Sequence, residues 1–156
     1  MSFLLANDAI SGKEASIWAT INGEVVELAE VKSFTANIAK TKKEFKALGK
    51  RGTQSKATGW TGTGTLNFYY VSSRWAKMLI DYAKTGVDTY FNLTAKNEDP
   101  SSSIGAQKIT LGQCNLDGGD IAKIDVEADF LDHSFNFTFS DVDMPEQFKP
   151  YNAQNE

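Results

Sequence analysis

The chain has 156 residues, 41% of them hydrophobic, and a formal net charge of −4. That is the size of one domain, and such a chain can bury about two-thirds of its unfolded surface without a disulfide or a metal. A single cysteine, Cys114, and a single histidine, His133, exclude an internal disulfide and the usual Cys/His zinc spacings, and leave little for nucleophile–base catalysis.

The charge is unevenly placed. Residues 1–78 hold eleven Lys/Arg against six Asp/Glu, and residues 79–156 hold five against fourteen. Opposed basic and acidic portions let copies of a chain attract one another. The opening "MSFLLANDAISGKE" (1–14) reads as an N-terminal arm. It has no basic n-region and no apolar run of secretion-signal length, and no stretch approaches the about 18 apolar residues of a membrane span.

"ASIWATINGEVVELAEVKSFTANIAK" predicts two strands joined at Asn22-Gly23, because Asn-Gly supplies the two positive φ angles of a tight hairpin. The second arm, Glu24 to about Ala39, is long for a strand, so a bend or bulge is expected in it. "KTKKEFKALGKRGTQSKAT" (40–58) follows, with Lys40, Lys42, Lys43, Lys46, Lys50, Arg51 and Lys56 against Glu44 alone. Without sustained apolar periodicity it reads as a long, mobile loop, with room for one helical turn around Glu44–Leu48.

"GWTGTGTLNFYYV" (59–71) alternates Thr with Gly, turns aromatic and predicts a strand. "SSRWAKMLIDYAKTG" (72–86) predicts the one helix, over about residues 73–85. Serine caps its start, Gly86 closes it, and Trp75, Met78, Leu79 and Tyr82 share one face. Further strands are expected at 88–97, 106–116, 121–130 and 134–141. In the last, Phe135, Phe137 and Phe139 lie opposite Ser134, Asn136 and Thr138. In "IAKIDVEADF" (121–130), Asp125, Glu127 and Asp129 would form a solvated face opposite Ile124, Val126 and Ala128. Residues 145–156 read as a loose tail. The whole is expected to be one domain, mainly β: an antiparallel sandwich or barrel with one packed helix and a long basic loop.

Motifs for chemistry fail on spacing. "GTQSKATG" (52–59) lacks the second glycine and the lysine of a phosphate loop, and "GTGTLN" (62–67) runs into a strand where a dinucleotide fingerprint opens a helix. Counted from Asn115, an EF-hand loop would need Gly at Asp120 and Glu at Val126. The basic segment lacks a recognition helix or stacking motif for nucleic acid. No catalytic, metal-binding or cofactor-binding residue emerges, and the chain reads as a non-enzyme.

The block "KATGWTGTGTLNFYYVSSRWAKMLIDYAKTG" resembles the central part of the tail tube proteins of contractile-tailed bacteriophages, in the branch found in Gram-positive phages and PBSX-like prophages. That branch runs from a basic loop through G-W-x-G-x-G-T and an aromatic strand to "VSSR" and a helix. "NEDPSSSIGAQKITLGQCNLDGGDIAKIDVEADFLDHSFNFTFSDVDMPEQFK" continues the likeness, so it covers nearly the whole chain. It implies a structural subunit that forms six-fold rings, stacked into a hollow tube inside a contractile sheath. The tube would penetrate the cell envelope and conduct double-stranded DNA.

The implied partners are further copies, then sheath, tape-measure and baseplate proteins, in a virion tail assembled in the host bacterial cytoplasm. The basic residues of 40–58 would form an arm that meets an adjacent subunit or ring. Two rows of acids are candidates for the lumen wall: Glu24, Glu27 and Glu30 on the long second strand, and Asp125, Glu127 and Asp129. A wall that repels phosphate does not retain DNA. The competing expectation is a β-sandwich module that binds glycan or peptide on surface aromatics such as Trp60 or Tyr69.

Overall fold

The computed structural model describes residues 4–151. A short 3-10 turn (Ala6–Asp8) precedes β1 (Ala15–Ile21), β2 (Glu24–Glu27), β3 (Val31–Phe45) and β4 (Gln54–Tyr69). Helix α1 (Arg74–Thr85) follows, then β5 (Phe91–Glu98), β6 (Ala106–Gly119), β7 (Asp132–Phe139) and β8 (Asp141–Glu146). All pairings are antiparallel, in the order β2-β1-β5-β6-β7-β4-β3, with β8 also on β6.

Strand β6 turns this ribbon into a sandwich. Its first half pairs with β5 and β8, and its end pairs with β7. The change falls at a bulge opposite Asn92, where Gln113 takes a left-handed φ of 54° and its N–H donates to Asn92 Oδ1. A bulge bends its strand and strengthens the twist. The neighbouring chain turns in step: β7 ends, Ser140 N–H donates to the Gly112 carbonyl, and β8 continues on the other leaf. One leaf is therefore β2-β1-β5-β6-β8 and the other is β3-β4-β7 with the end of β6.

The core fills the space between the leaves. Ile17, Ala19, Leu93 and Leu111 come from the first, and Leu66, Phe68, Phe135, Phe137 and Phe139 from the second. Trp75 of α1 is fully buried, stacked on Phe68 and edge-on to Phe91. Ser72 Oγ accepts the Arg74 N–H at the helix start, and Gly86, at φ 74°, donates its N–H to the Tyr82 carbonyl at the end. The sandwich stays open along one side, where Leu28, Val31 and Phe34 face Ile17, Ala95 and Ile109 across a cleft of about 900 Å³.

The alternation in 59–70 explains itself in this setting. Gly62, Gly64, Leu66 and Phe68 point inward, and the rings of Phe139 and Phe137 occupy the space above the two glycines. A Cβ on Gly62 would meet Phe139 at 2.5 Å, and one on Gly64 would meet Phe137 and, at 2.6 Å, the Thr35 carbonyl oxygen. These glycines are floor space for two phenylalanines.

His133 is 2% exposed, edge-on to Phe68, Tyr70 and Phe135, and neither ring nitrogen has a hydrogen-bond partner among the described residues. Burial holds its imidazole below the usual range, although Asp120, Asp132 and Glu30 pull the other way. Folded His133 thus binds a proton less readily than unfolded His133. Its contribution is complete above the ordinary value of 6.5 and drains as the pH falls below it. Urea melts should show stability declining from pH 6.5 downward, before carboxylates with an ordinary value of 3.8 titrate. His133→Leu should flatten that limb. A pH-independent midpoint in the parent between 4.5 and 6.5 would contradict this role.

Four expectations need correction. The segment 40–58 is not a loop throughout, because β3 runs to Phe45 and β4 starts at Gln54; only 46–53 connects them, and Glu44–Leu48 forms no helical turn. Backbone pairing between the two strands replaces the missing apolar periodicity. The second arm of the first hairpin breaks after Glu27, and β3 crosses to the other leaf. Residues 121–130 form no strand: Ile124, Val126 and Phe130 are 96%, 97% and 80% exposed, so the alternation has no buried side. The tail is not loose at 145–149, since β8 runs to Glu146 and Lys149 N–H donates to the Ile104 carbonyl, while 152–156 lie outside the described residues. Pro145 is tolerated there because β8 lies at an edge.

Candidate assembly interface

Strand β4 pairs with β7 only from Gly62 to Tyr69. Its first eight residues, 54–61, pair with β3 alone. At about 3.3 Å per residue, this two-stranded arm overhangs the sandwich by roughly 26 Å. Register pairs such as Lys43↔Lys56 and Phe45↔Gln54 carry it to the connecting turn, where Gly49 adopts φ 83°. Every side chain of 55–60 and 37–46 is exposed. Lys40, Lys42, Lys43, Lys46, Lys50, Arg51 and Lys56 all lie on the arm or its tip, and none makes an ion pair among the described residues. Leu48 at the tip is wholly exposed and Phe45 is half exposed. An isolated two-stranded hairpin is marginal in water.

Neither candidate row of acids stands on a single strand. Glu24 and Glu27 lie on β2 at the rim of the first leaf, and Glu30 sits just before β3. Asp125, Glu127 and Asp129 lie on the loop between β6 and β7, so the strand on which their shared face depended is absent. Asp120 closes the base of that loop through its N–H to the Ser134 carbonyl and its carboxylate to the Ser134 N–H. Asp132 bridges Lys123 and Lys32, each at 2.9 Å, and those two partners hold its carboxyl down at about 2.

The residues that do form one wall carry no charge. On the outer face of the second leaf, Ser33, Thr35 and Asn37 of β3 register with Asn67, Thr65 and Thr63 of β4. These in turn register with Ser134, Asn136 and Thr138 of β7. Asn67 Nδ2 donates to Ser33 Oγ at 2.7 Å, Thr65 Oγ1 donates to Asn136 Oδ1 at 3.1 Å, and Ser134 Oγ donates to Asn67 Oδ1. The outer face of the first leaf differs, with Trp18, Glu27, Lys96 and Lys108. The signal for the neutral wall was present in "TGTGTLN" and "SFNFTF", whose polar positions share period two; their adjacency across strands was not.

Trp60 and Tyr69 stand nine residues apart on β4. Trp60 packs on Phe139 at 6.0 Å, while Tyr69 lies at the far end under Lys32. They form no common platform. Three strands, β2, β3 and β8, pair on one side only among the described residues, and β3 carries the longest free edge, fifteen residues. An edge of this length in a free monomer invites pairing with another chain.

The family model described as "Phage tail tube protein" matches residues 2–146. The chain belongs to that family. It is 42% identical over 144 residues to the phage-like element PBSX protein XkdM of Bacillus subtilis (strain 168), covering 92% of this chain and 95% of that one. It is 43% identical over 146 residues to YqbM of the same organism, an uncharacterised protein, covering 94% and 97%.

Solved structures share the fold at low identity. A chain of the anti-feeding prophage baseplate superposes with a TM-score of 0.67 at 12% identity, over 92% of this chain and 97% of that one. The tail tube of SPP1 gives 0.62 at 10%, over 87% and 78%. A chain of an extracellular contractile injection system sheath–tube complex gives 0.61 at 10%, over 87% and 90%. This tail tube protein is a structural subunit of a phage-type tail and not an enzyme. Among the described residues no helix is long and apolar enough to cross a membrane.

Proposed function

We propose that copies of this tail tube protein close into six-fold rings, and that the rings stack into the hollow inner tube of a contractile tail. The observation that carries this reading is the fifteen-residue free edge of β3, half of it on an arm that leaves the sandwich. A ring that pairs each edge with a neighbour turns an aggregation hazard into backbone hydrogen bonds. The basic arm docks on an adjacent copy, and the N-terminal arm leads into β1, with residues 1–3 outside the described residues. Sheath, tape-measure and baseplate proteins complete the tail, which is assembled in the host cytoplasm and penetrates the envelope.

The wall presented to the bore, in this reading, is the neutral face of Ser33, Thr35, Asn37, Thr63, Thr65 and Asn136, in place of the acidic rows. Hydroxyls and amides let double-stranded DNA pass without the salt-dependent affinity that each cation would add. Thr63→Lys with Thr65→Lys should leave the thermal midpoint within a few degrees, because both positions face solvent. Tubes of this variant should retain duplex DNA at low salt and release it at high salt. Equal retention by parent and variant would place another face in the bore.

The assembly reading is tested by negative-stain electron microscopy and sedimentation velocity across a protein and salt series, with and without baseplate seeds. Hollow stacked rings are expected. A strict monomer in all conditions, seeds included, would return the chain to a soluble binding module.

A further inference from the structure

The arm tip and the β6–β7 loop lie at opposite ends of the second leaf. In β4 the tip is at Gln54, while Tyr69, at the other end, registers with Asp132 as that loop rejoins the sheet. The loop end carries an open depression of about 510 Å³ lined by Glu30, Tyr69, Tyr70, Val71, Phe130 and Leu131. Ile124 and Val126 stand almost fully exposed in the loop beside Asp125, Glu127 and Asp129. None of these three acids, nor Glu30, makes an ion pair among the described residues.

Each end therefore has what the other lacks. The tip offers Leu48 and Phe45 among unpaired cations, and the far end offers an apolar hollow lined in part by Glu30 and by Phe130, at the end of the loop that carries Asp125, Glu127 and Asp129. Within one copy they cannot meet, because about 46 Å of β4 separates Gln54 from Phe68. Unlike surfaces at opposite ends make a head-to-tail contact, and such contacts repeat without closing when the step is a translation.

We propose that the arm tip of one copy docks into the depression beside the β6–β7 loop of the next copy along the stack, with Leu48 entering the hollow and the lysines facing Glu30 and the loop acids. This names the surface that receives the arm and rests on the reading of the arm as a docking element. The Asp132 bridges to Lys32 and Lys123 hold the loop against β3, so the receiving surface is formed before the arm arrives. Apolar contact sets the seat and opposite charge sets the encounter and the register.

The test mixes two versions of the full chain, Leu48→Cys and Val126→Cys, with a thiol-reactive bifunctional linker. Native Cys114 is fully buried and stays silent. A mixed adduct is expected, with little from either version alone. Its yield should fall about tenfold between 0.1 and 1 M salt, as the screening length drops from about 10 to 3 Å. No mixed adduct, in tubes or in concentrated monomer, overturns the proposal.

Charge reversal separates it from the broader reading. Lys42→Glu/Lys43→Glu/Lys46→Glu and Asp125→Lys/Glu127→Lys/Asp129→Lys should each block stacking, and the combined variant should stack again. Loss in the arm variant with parent-like stacking in the loop variant would keep the docking arm and remove this receptor. Parent-like stacking in both would remove both.

Discussion

Replacing Lys42–Thr58 by Asn-Gly should give a folded protein that no longer stacks. The cut joins Thr41 to Gly59, which are cross-strand partners, through the same dipeptide that turns β1 into β2 at φ 51° and 80°. No side chain in the removed segment belongs to the buried core. The unfolding free energy should therefore move by no more than about 1 kcal/mol, the scale of exposed changes. Assembly should change far more, because six cations and the Leu48 tip leave together. Sedimentation velocity should show one slow species at concentrations where the parent polymerises, with far-UV circular dichroism that keeps its strand signature. Stacked tubes from the shortened chain would end the docking role of the arm.

The second large effect lies in the core. Gly64→Ala puts a methyl group against the Phe137 ring and the Thr35 carbonyl oxygen, and neither the paired β3 backbone nor a fully buried ring can retreat. Overpacking of this kind costs about 1–3 kcal/mol. Phe137→Ala does the reverse: it removes a ring that is 0% exposed and stacks on Phe34 at 6.1 Å. Such a deletion costs about 3–5 kcal/mol. Gly64→Ala combined with Phe137→Leu should be less destabilised than the sum of the two single changes, because the smaller side chain vacates the space that the methyl needs. Urea unfolding of the four proteins gives the coupling directly. Additive losses would mean that the glycine is needed for some reason other than the ring above it.

The Asn22-Gly23 turn, the helix closed by Gly86 and the Phe135–Phe137–Phe139 face were all legible in the sequence, because each is fixed by local backbone preference or by period two or 3.6 within one segment. The family too was legible, since it lies in the order of motifs along nearly the whole chain. What failed was whatever depended on a partner strand. The basic segment looked irregular because charged residues hide a hairpin whose regularity lies in backbone pairing with itself. The segment 121–130 looked like a strand because Ile124, Val126 and Ala128 alternate with acids. Yet β7 already has β6 on one side and β4 on the other, so no edge was left there for another strand. The same competition for edges sent β8 onto β6, where tail composition suggested nothing.

The sequence by itself determined the class of structure, the one helix, the inward aromatics and the separation of charge, because these rest on residue type and short-range spacing. Only the tertiary structure decided that the cations stand on a two-stranded arm, that the loop acids and exposed apolar residues gather at the opposite end, and that a neutral patch runs across β3, β4 and β7. Those three facts are distances between residues far apart in the chain. They follow from register across β3, β4 and β7, where one step of slip would exchange the phenylalanines with the threonines and asparagines.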